Sequence, residues 1–299
     1  MKKIMLCIDI LFVLFIVSCG QEIDYIDKNL KPKEIVFTNE EIDFIENNDI
    51  NIDELNNYLE YKSFNLFKYF DYEEIRRNNN FSYLQALNYI NNPNYYSFYL
   101  LPKLANSNTN YPILVNKCYY LDRSYIPSDL VKIKDYNISY IKRESEEMYC
   151  SKELINSLVQ MFNDALIKNI ELTVFSAYRS YEKQNYLYYN VNNMNDATSA
   201  RPGFSEHQTG LALDISTLEY GLTNYFKESL TYFWLINNCY KYGFILRYPD
   251  GSESFTGYSE ESWHFRYVGK EIANDIYNNK ITLEEYIFLN FEIFNTPTL

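Results

Sequence analysis

Between Gly210 and Ser216 the chain reads as a strand with one apolar face: Leu211, Leu213 and Ile215 alternate with Ala212 and Asp214 straight after a glycine turn. Asp214 and Ala212 share the other face. Seven residues before Asp214 stands His207, one of only two histidines in 299 residues. Residues seven apart on a single strand face opposite ways, so His207 and Asp214 can meet only if Gln208-Thr209-Gly210 turns the chain between them.

The surrounding sequence predicts a mixture of helices and strands. Ser151 to Asn169 places Leu154, Leu158, Met161, Phe162, Ala165 and Leu166 on one core-facing helical stripe. Glu171 to Ser176 reads as a strand. Tyr181 to Asn193 reads as a helix with Ser180 as N-cap and Glu182 in its first turn, which puts Arg179 at a helix N-terminus. A third helix is expected from about Tyr225 to Lys241, capped by Gly243. The GFILRY run and Trp263 to Val268 read as strands, and Lys270 to about Leu289 as a closing helical stretch. No regular βαβ alternation is present, so the expected class is mixed α+β.

Residues 20 to about 105 differ in texture. They carry short helical patterns, such as Asn39 to Asn48 and Phe81 to Ile90, separated by asparagine-rich breaks. A periodic apolar face such as Leu84, Leu87 and Ile90 needs a partner surface. Nothing chemical stands out there, so residues 19–105 are read as a mostly helical N-terminal tether or accessory segment and 106–299 as the domain that carries chemistry.

Composition narrows the function. With 47% apolar residues the chain can bury a sizeable core, and a formal charge of −13 argues against a nucleic-acid partner, whose phosphates need a basic face. The 32 tyrosines and the asparagine runs read as compositional bias.

The first residues form an address rather than a fold element. Lys2 and Lys3 are followed by the apolar run Ile10 to Val17, too short for a permanent membrane span, which needs about 20 residues. Residues 1–18 are therefore read as a signal peptide. Ile16-Val17-Ser18-Cys19 resembles the bacterial lipobox, with Asp9 a departure from that pattern, and implies lipidation at Cys19 and export to the cell envelope. Beyond that segment Cys118, Cys150 and Cys239 allow one disulfide at most, and no CxxC pair offers a cysteine-built zinc site.

Any metal must then be held by histidine and carboxylate. The second histidine lies in Glu261-Ser262-Trp263-His264, and His207, Asp214 and His264 make three protein ligands, the number a catalytic zinc takes while keeping a position for water. Such an ion lowers the pKa of water from about 15.7 toward roughly 7, and a neighbouring carboxylate can accept the proton. Glu261 stands three residues before a candidate ligand. Spacing alone leaves open a surface His207 and a core-packed His264.

The pattern Ser205-x-His207-x-x-Gly210-x-Ala212-x-Asp214, followed by Glu261-x-Trp263-His264, closely resembles the VanY-type D-alanyl-D-alanine carboxypeptidases. That family includes the related LD-carboxypeptidases and, more remotely, D-Ala-D-Ala dipeptidases. Leu114-Val115-Asn116-Lys117, Tyr125-Ile126-Pro127, Leu130-Val131, Tyr178-Arg179-Ser180, Arg201-Pro202-Gly203 and His264-Phe265-Arg266-Tyr267 extend the likeness over roughly residues 106 to 285. The resemblance implies an α+β zinc peptidase, an antiparallel sheet carrying the metal with helices packed around it, with His207, Asp214 and His264 as zinc ligands, Glu261 as general base and Arg179 as the substrate arginine. A guanidinium suits that role, since it pairs bidentately with a terminal carboxylate. Gln184 matches a position near the substrate, Ser205 is a further candidate contact, Glu260 is read as a solvated neighbour, and Trp263 as packing beneath His264.

The substrate implied is the peptidoglycan stem peptide, cut at its terminal D-alanine. LD-specificity for tetrapeptides and a non-catalytic cell-wall binding protein of the same fold are the alternatives. A cytoplasmic dipeptidase fits an exported chain less well.

Overall fold

The computed structural model describes residues 5–6, 35–59, 61, 64–91, 98–100, 102–106, 112–144 and 146–291. Apart from Met5 and Leu6, the expected signal peptide and Cys19 lie outside the described residues. The chain divides into two compact units, Met1–Ile90 and Asn91–Leu299. The division falls earlier than the change of texture near Asn106, because Lys103–Leu104 pairs in parallel with Tyr119–Tyr120 inside the second unit.

The first unit is helical: α1 (Asn39–Asn47), α2 (Ile52–Leu59), α3 (Tyr69–Asn79) and α4 (Tyr83–Asn91). Thr38 and Glu41 form a capping box at the start of α1. Ile42, Ile45, Leu55 and Leu87 pack together with Tyr58 and Tyr72. These tyrosines are working core residues rather than compositional excess. The Tyr58 hydroxyl donates to Glu73 at 2.8 Å, and the Glu73 carboxylate also takes Arg76 Nε at 2.7 Å and Arg77 Nε at 2.9 Å.

The second unit opens with a short antiparallel pair, β1 (Leu130–Lys132) and β2 (Tyr149–Ser151), which leads into α5 (Lys152–Ile167). Then come β3 (Thr173–Ser176), α6 (Tyr181–Asn190), β4 (Ala212–Ser216), α7 (Leu230–Asn238), β5 (Phe244–Tyr248), β6 (Glu261–Tyr267), α8 (Lys270–Asn279) and α9 (Leu283–Asn290). Four of these strands form one antiparallel sheet in the order β3-β4-β6-β5. The α+β expectation holds.

Alternation along β4 decides what lies on each side of this sheet. Leu213 and Ile215 join Val174, Phe265 and the α5 residues Leu154, Leu158, Met161 and Phe162 in the main core. Each such side chain contributes about 1.5–3 kcal/mol on full burial. Asp214, between them, is turned to the other side. On α5 the stripe differs from expectation at its edge, since Ile155 is buried and Leu166 is 56% exposed in the last turn. Ser151 caps the helix by accepting from the Glu153 amide at 3.1 Å.

Two expected helices are broken. The stretch from Tyr225 to Lys241 is a 3-10 turn (Asn224–Glu228), then α7, then a second 3-10 turn (Cys239–Tyr242) closed by Gly243 in the left-handed region. Ser229 causes the first break, because its hydroxyl donates to Phe226 O and accepts from Tyr232 N. The closing stretch splits into α8 and α9 at Lys280, which has a φ of 52°, and Thr282 and Glu285 start α9 with a second capping box. α6 ends at Asn190, ahead of Asn193 and Met194, both with positive φ. No disulfide joins Cys118, Cys150 and Cys239, and burial pushes each thiol up to about 12.

Candidate active site

β4 and β6 build the centre of the site. In their antiparallel register Asp214 and His264 are directly opposite, on the side of the sheet away from Leu213 and Phe265. His207 arrives from a 3-10 turn, Glu206–Thr209, that ends at Gly210 with a φ of 72°. A β-carbon at Gly210 would lie 3.1 Å from Leu130 Cδ2 and 3.2 Å from the Ser151 amide nitrogen, so glycine is needed for both space and conformation. This is the turn the seven-residue spacing requires.

The three side chains converge on one point. His207 Nε2 is 3.3 Å and His264 Nδ1 is 3.4 Å from Asp214 Oδ1, and one ligand atom from each residue lies within 4.8 Å of the others. Asp214 Oδ1 is buried and has no hydrogen-bond partner, as expected of an oxygen whose partner is an ion. Two imidazoles and a carboxylate are the donor set of a catalytic zinc centre, so the residues fit a metal. Without it their charges are in tension. Burial would raise the Asp214 carboxyl, yet His207 and His264 hold it well below the usual range. Burial pulls His207 down, whereas His264 is raised against its burial by the carboxylates of Asp214, Glu206 and Glu261.

Glu261 reaches the same centre through an irregularity. Residues three apart on a regular strand face opposite ways, but the β6–β5 register shifts between Glu261 and Phe265. That bulge brings Glu261 Oε2 to 3.4 Å from His264 Nδ1. Its side chain is 20% accessible against 7% for Asp214, an exposure that leaves it able to meet water. Glu260 has a different role from the solvated one expected, since Lys227 Nζ holds it at 2.7 Å.

Arg179 lies on the far side of Asp214, with Nη2 3.7 Å from Oδ2. Its backbone N–H donates to His207 O at 3.1 Å, tying the arginine to the ligand turn, and Ser180 caps α6 as expected by accepting from Lys183 N. The guanidinium donates to Gln184 Oε1 at 2.7 Å and to Ser176 Oγ at 3.2 Å. Gln184 in turn donates to Ala200 O at 2.6 Å, so both ends of its amide are engaged within the protein. Burial lowers the Arg179 pKa, opposed by Asp214 and Glu261. Gln184, Ser205, Glu261 and Trp263 line a cleft of about 180 Å³ together with these groups. Trp263 also packs against the main core.

One layer of the site escaped the sequence reading. Glu206, beside His207, is fully buried and its Oε1 accepts from Arg247 Nε at 2.7 Å and Arg266 Nη1 at 2.8 Å. Glu284 of α9 closes the cluster, accepting from Arg247 Nη1 at 2.8 Å and from Asn116 Nδ2 at 3.0 Å. The signal was an arginine inside each of two apolar strands, GFILRY and HFRY, a placement that demands a buried anion. The geometry as a whole offers a metal-ligand set, a carboxylate base beside it and a guanidinium across from it, which is the equipment for hydrolysing a bond next to an anionic group.

The chain is similar in sequence and fold to known proteins. The family model described as VanY, D-alanyl-D-alanine carboxypeptidase, matches residues 147–270. The putative carboxypeptidase YodJ of Bacillus subtilis (strain 168) is 43% identical over 180 residues, covering 58% of this chain and 65% of that protein. VanXYC of Enterococcus gallinarum, a bifunctional D-Ala-D-Ala dipeptidase and D-Ala-D-Ala carboxypeptidase, is 33% identical over 184 residues, covering 58% of this chain and 91% of that one. The solved LdcB LD-carboxypeptidase superposes with a TM-score of 0.55 at 41% identity, covering 59% of this chain and 85% of that chain. The chain spans 52 to 65% of the length of three of the curated relatives it matches.

Proposed function

The chain belongs to the VanY family of D-alanyl-D-alanine carboxypeptidases, and on that premise we propose that it is a zinc-dependent carboxypeptidase that removes the terminal D-alanine from peptidoglycan stem peptides. The observation that carries this reading is the convergence of His207 Nε2, Asp214 Oδ1 and His264 Nδ1, with Glu261 at the edge of the cluster and Arg179 across it. Zinc held by the three residues supplies a Lewis acid for the scissile carbonyl and makes water a competent nucleophile near neutral pH.

The chain's own residues do the rest. Glu261 accepts the proton from the attacking water at a carboxylate oxygen and returns it to the amine of the departing D-alanine. Arg179 binds the anionic end of the peptide, its fork held in orientation by Gln184 and Ser176. Tyr248 and Trp263 wall the cleft and limit the water around the reacting bond.

A second reading has its own support. LdcB, with which the fold superposes, is an LD-carboxypeptidase, so the tetrapeptide is the competing substrate. Purified zinc-loaded protein incubated separately with pentapeptide and tetrapeptide muropeptides distinguishes the two by D-alanine release. Release from the pentapeptide is expected; release from the tetrapeptide alone would replace the DD assignment with the LD one.

We also propose that the protein is exported and anchored to the cell-envelope membrane by lipid on Cys19, on the strength of Ile16-Val17-Ser18-Cys19 behind an apolar run. Among the described residues no helix is long and apolar enough to cross a membrane. Mass spectrometry of the N-terminal peptide after expression in a bacterial host should give a lipidated Cys19, and an unmodified Met1 end or a cut elsewhere would refute the anchor.

A further inference from the structure

The two histidines present opposite ring nitrogens to the same point. His207 turns Nε2 toward Asp214, and its Nδ1 lies 2.7 Å from Ala177 O. A carbonyl only accepts, so Nδ1 carries the proton and Nε2 the lone pair. His264 turns Nδ1 toward both Asp214 and Glu261. Its lone pair therefore has to sit on Nδ1 if it is to bind a metal, and its proton on Nε2.

That buried N–H needs an acceptor. His264 Nε2 faces Glu206 Oε2 at 3.6 Å, and each of these two buried atoms otherwise has no hydrogen-bond partner. That separation is about half an ångström longer than an ordinary hydrogen bond. Glu206 is not free to turn away, because Arg247 and Arg266 hold its other oxygen, and neither arginine side chain is exposed at all. Glu284, anchored on α9, fixes Arg247 from behind.

We infer that Glu206 is a positioning residue: it holds His264 in the Nε2–H form and so keeps the Nδ1 lone pair aimed at the metal. This rests on the zinc-site reading above. His207 receives the same service from a neutral backbone carbonyl, whereas His264 is served by a carboxylate that also neutralises two buried arginines. A carboxylate–histidine pair behind a metal fixes the tautomer and raises ligand basicity.

The alternative is that Glu206 does no more than balance Arg247 and Arg266. Two substitutions separate the ideas. Glu206→Gln can still offer its amide oxygen to the arginines, but then sets an NH2 group against His264 Nε2, where two donors conflict. Glu284→Gln removes the same charge from the same cluster without touching His264. Zinc affinity measured by competition with a chelator should fall roughly 10- to 100-fold in Glu206→Gln and stay within a few-fold of wild type in Glu284→Gln.

A ring readout stands independently of either variant folding. Because the chain has two histidines, nitrogen-15 histidine labelling yields two ring systems, and zinc-loaded wild type should show His207 protonated at Nδ1 and His264 protonated at Nε2. Equal zinc affinity in Glu206→Gln, or an equal loss in Glu284→Gln, would each overturn the inference while leaving the zinc site standing; His264 protonated at Nδ1 would overturn it together with ligation through that nitrogen. A wild-type protein that takes up no zinc would instead remove the reading beneath it.

Discussion

Asp214 and His264 face each other across β4 and β6, and their ligand atoms Oδ1 and Nδ1 are 3.4 Å apart. Strand register, rather than loop geometry, thus sets the distance between two of the three candidate ligands. The third candidate ligand comes from the Gly210 turn, and the proposed base comes from a bulge in β6.

Glu261→Gln separates chemistry from metal binding. The amide keeps the shape but accepts no proton, so turnover should drop about 10²- to 10⁴-fold. Zinc content should stay stoichiometric, because Glu261 is outside the ligand set. Assaying D-alanine release alongside metal analysis checks both, and loss of zinc with turnover would make Glu261 a ligand rather than a base.

Arg179→Lys keeps the charge and loses the fork. Gln184 and Ser176 orient a planar group that an ammonium cannot imitate. kcat/KM should fall roughly 10- to 100-fold, the equivalent of losing a charge-assisted hydrogen bond worth about 1.5–3 kcal/mol. Substrates with an amidated C-terminus should show little further loss in the variant, which steady-state kinetics on the matched pair of peptides measures.

Gly210→Ala tests the turn. An added β-carbon would meet Leu130 and Ser151 in a conformation that costs an L-residue about 1–2 kcal/mol. The denaturation midpoint should drop accordingly. Zinc affinity should weaken too, since His207 is displaced with the turn, and a variant with wild-type affinity would detach the turn from the site.

Acid should erode the Glu206 cluster in a defined direction. Burial would raise the Glu206 carboxyl, but Arg247 and Arg266 hold it well below the usual carboxylate range. A group with a depressed folded pKa contributes its full stability above the unfolded value, about 4.3, and loses it as pH falls toward the folded one. Urea denaturation of metal-free protein should therefore show a stability gap between wild type and Glu206→Gln at pH 7 that narrows steadily below about pH 4. A gap independent of pH would mean that ionisation of Glu206 does not stabilise the fold.

The candidate metal ligands stand out in the sequence, but only the wider resemblance favoured a shared metal over a surface His207 and a core-packed His264. Asp214 interrupts an alternating apolar strand, and histidine is otherwise absent from the chain. Arg179 was legible as the residue before the Ser180 cap, and capping chemistry is local. Glu261 was legible by its place three residues before His264 and by the resemblance, although regular strand geometry would turn it away from His264 and the bulge that corrects this depends on pairing with β5. Glu206 was not legible, because an acidic residue beside a turn looks solvated until Arg247 and Arg266, some 40 and 60 residues later, are seen to converge on it. The broken helix at Ser229 was missed for a related reason: apolar residues continue through the break, and only the serine's competing hydrogen bonds reveal it.

The account stands most directly on one paired measurement: zinc per chain and D-alanine released from muropeptide, in wild type and in His264→Ala. It predicts one zinc per wild-type chain with D-alanine release, and loss of both the zinc and the release when His264 is removed. Wild-type protein that releases D-alanine without bound metal, or a His264→Ala variant that retains its zinc and its turnover, would contradict it.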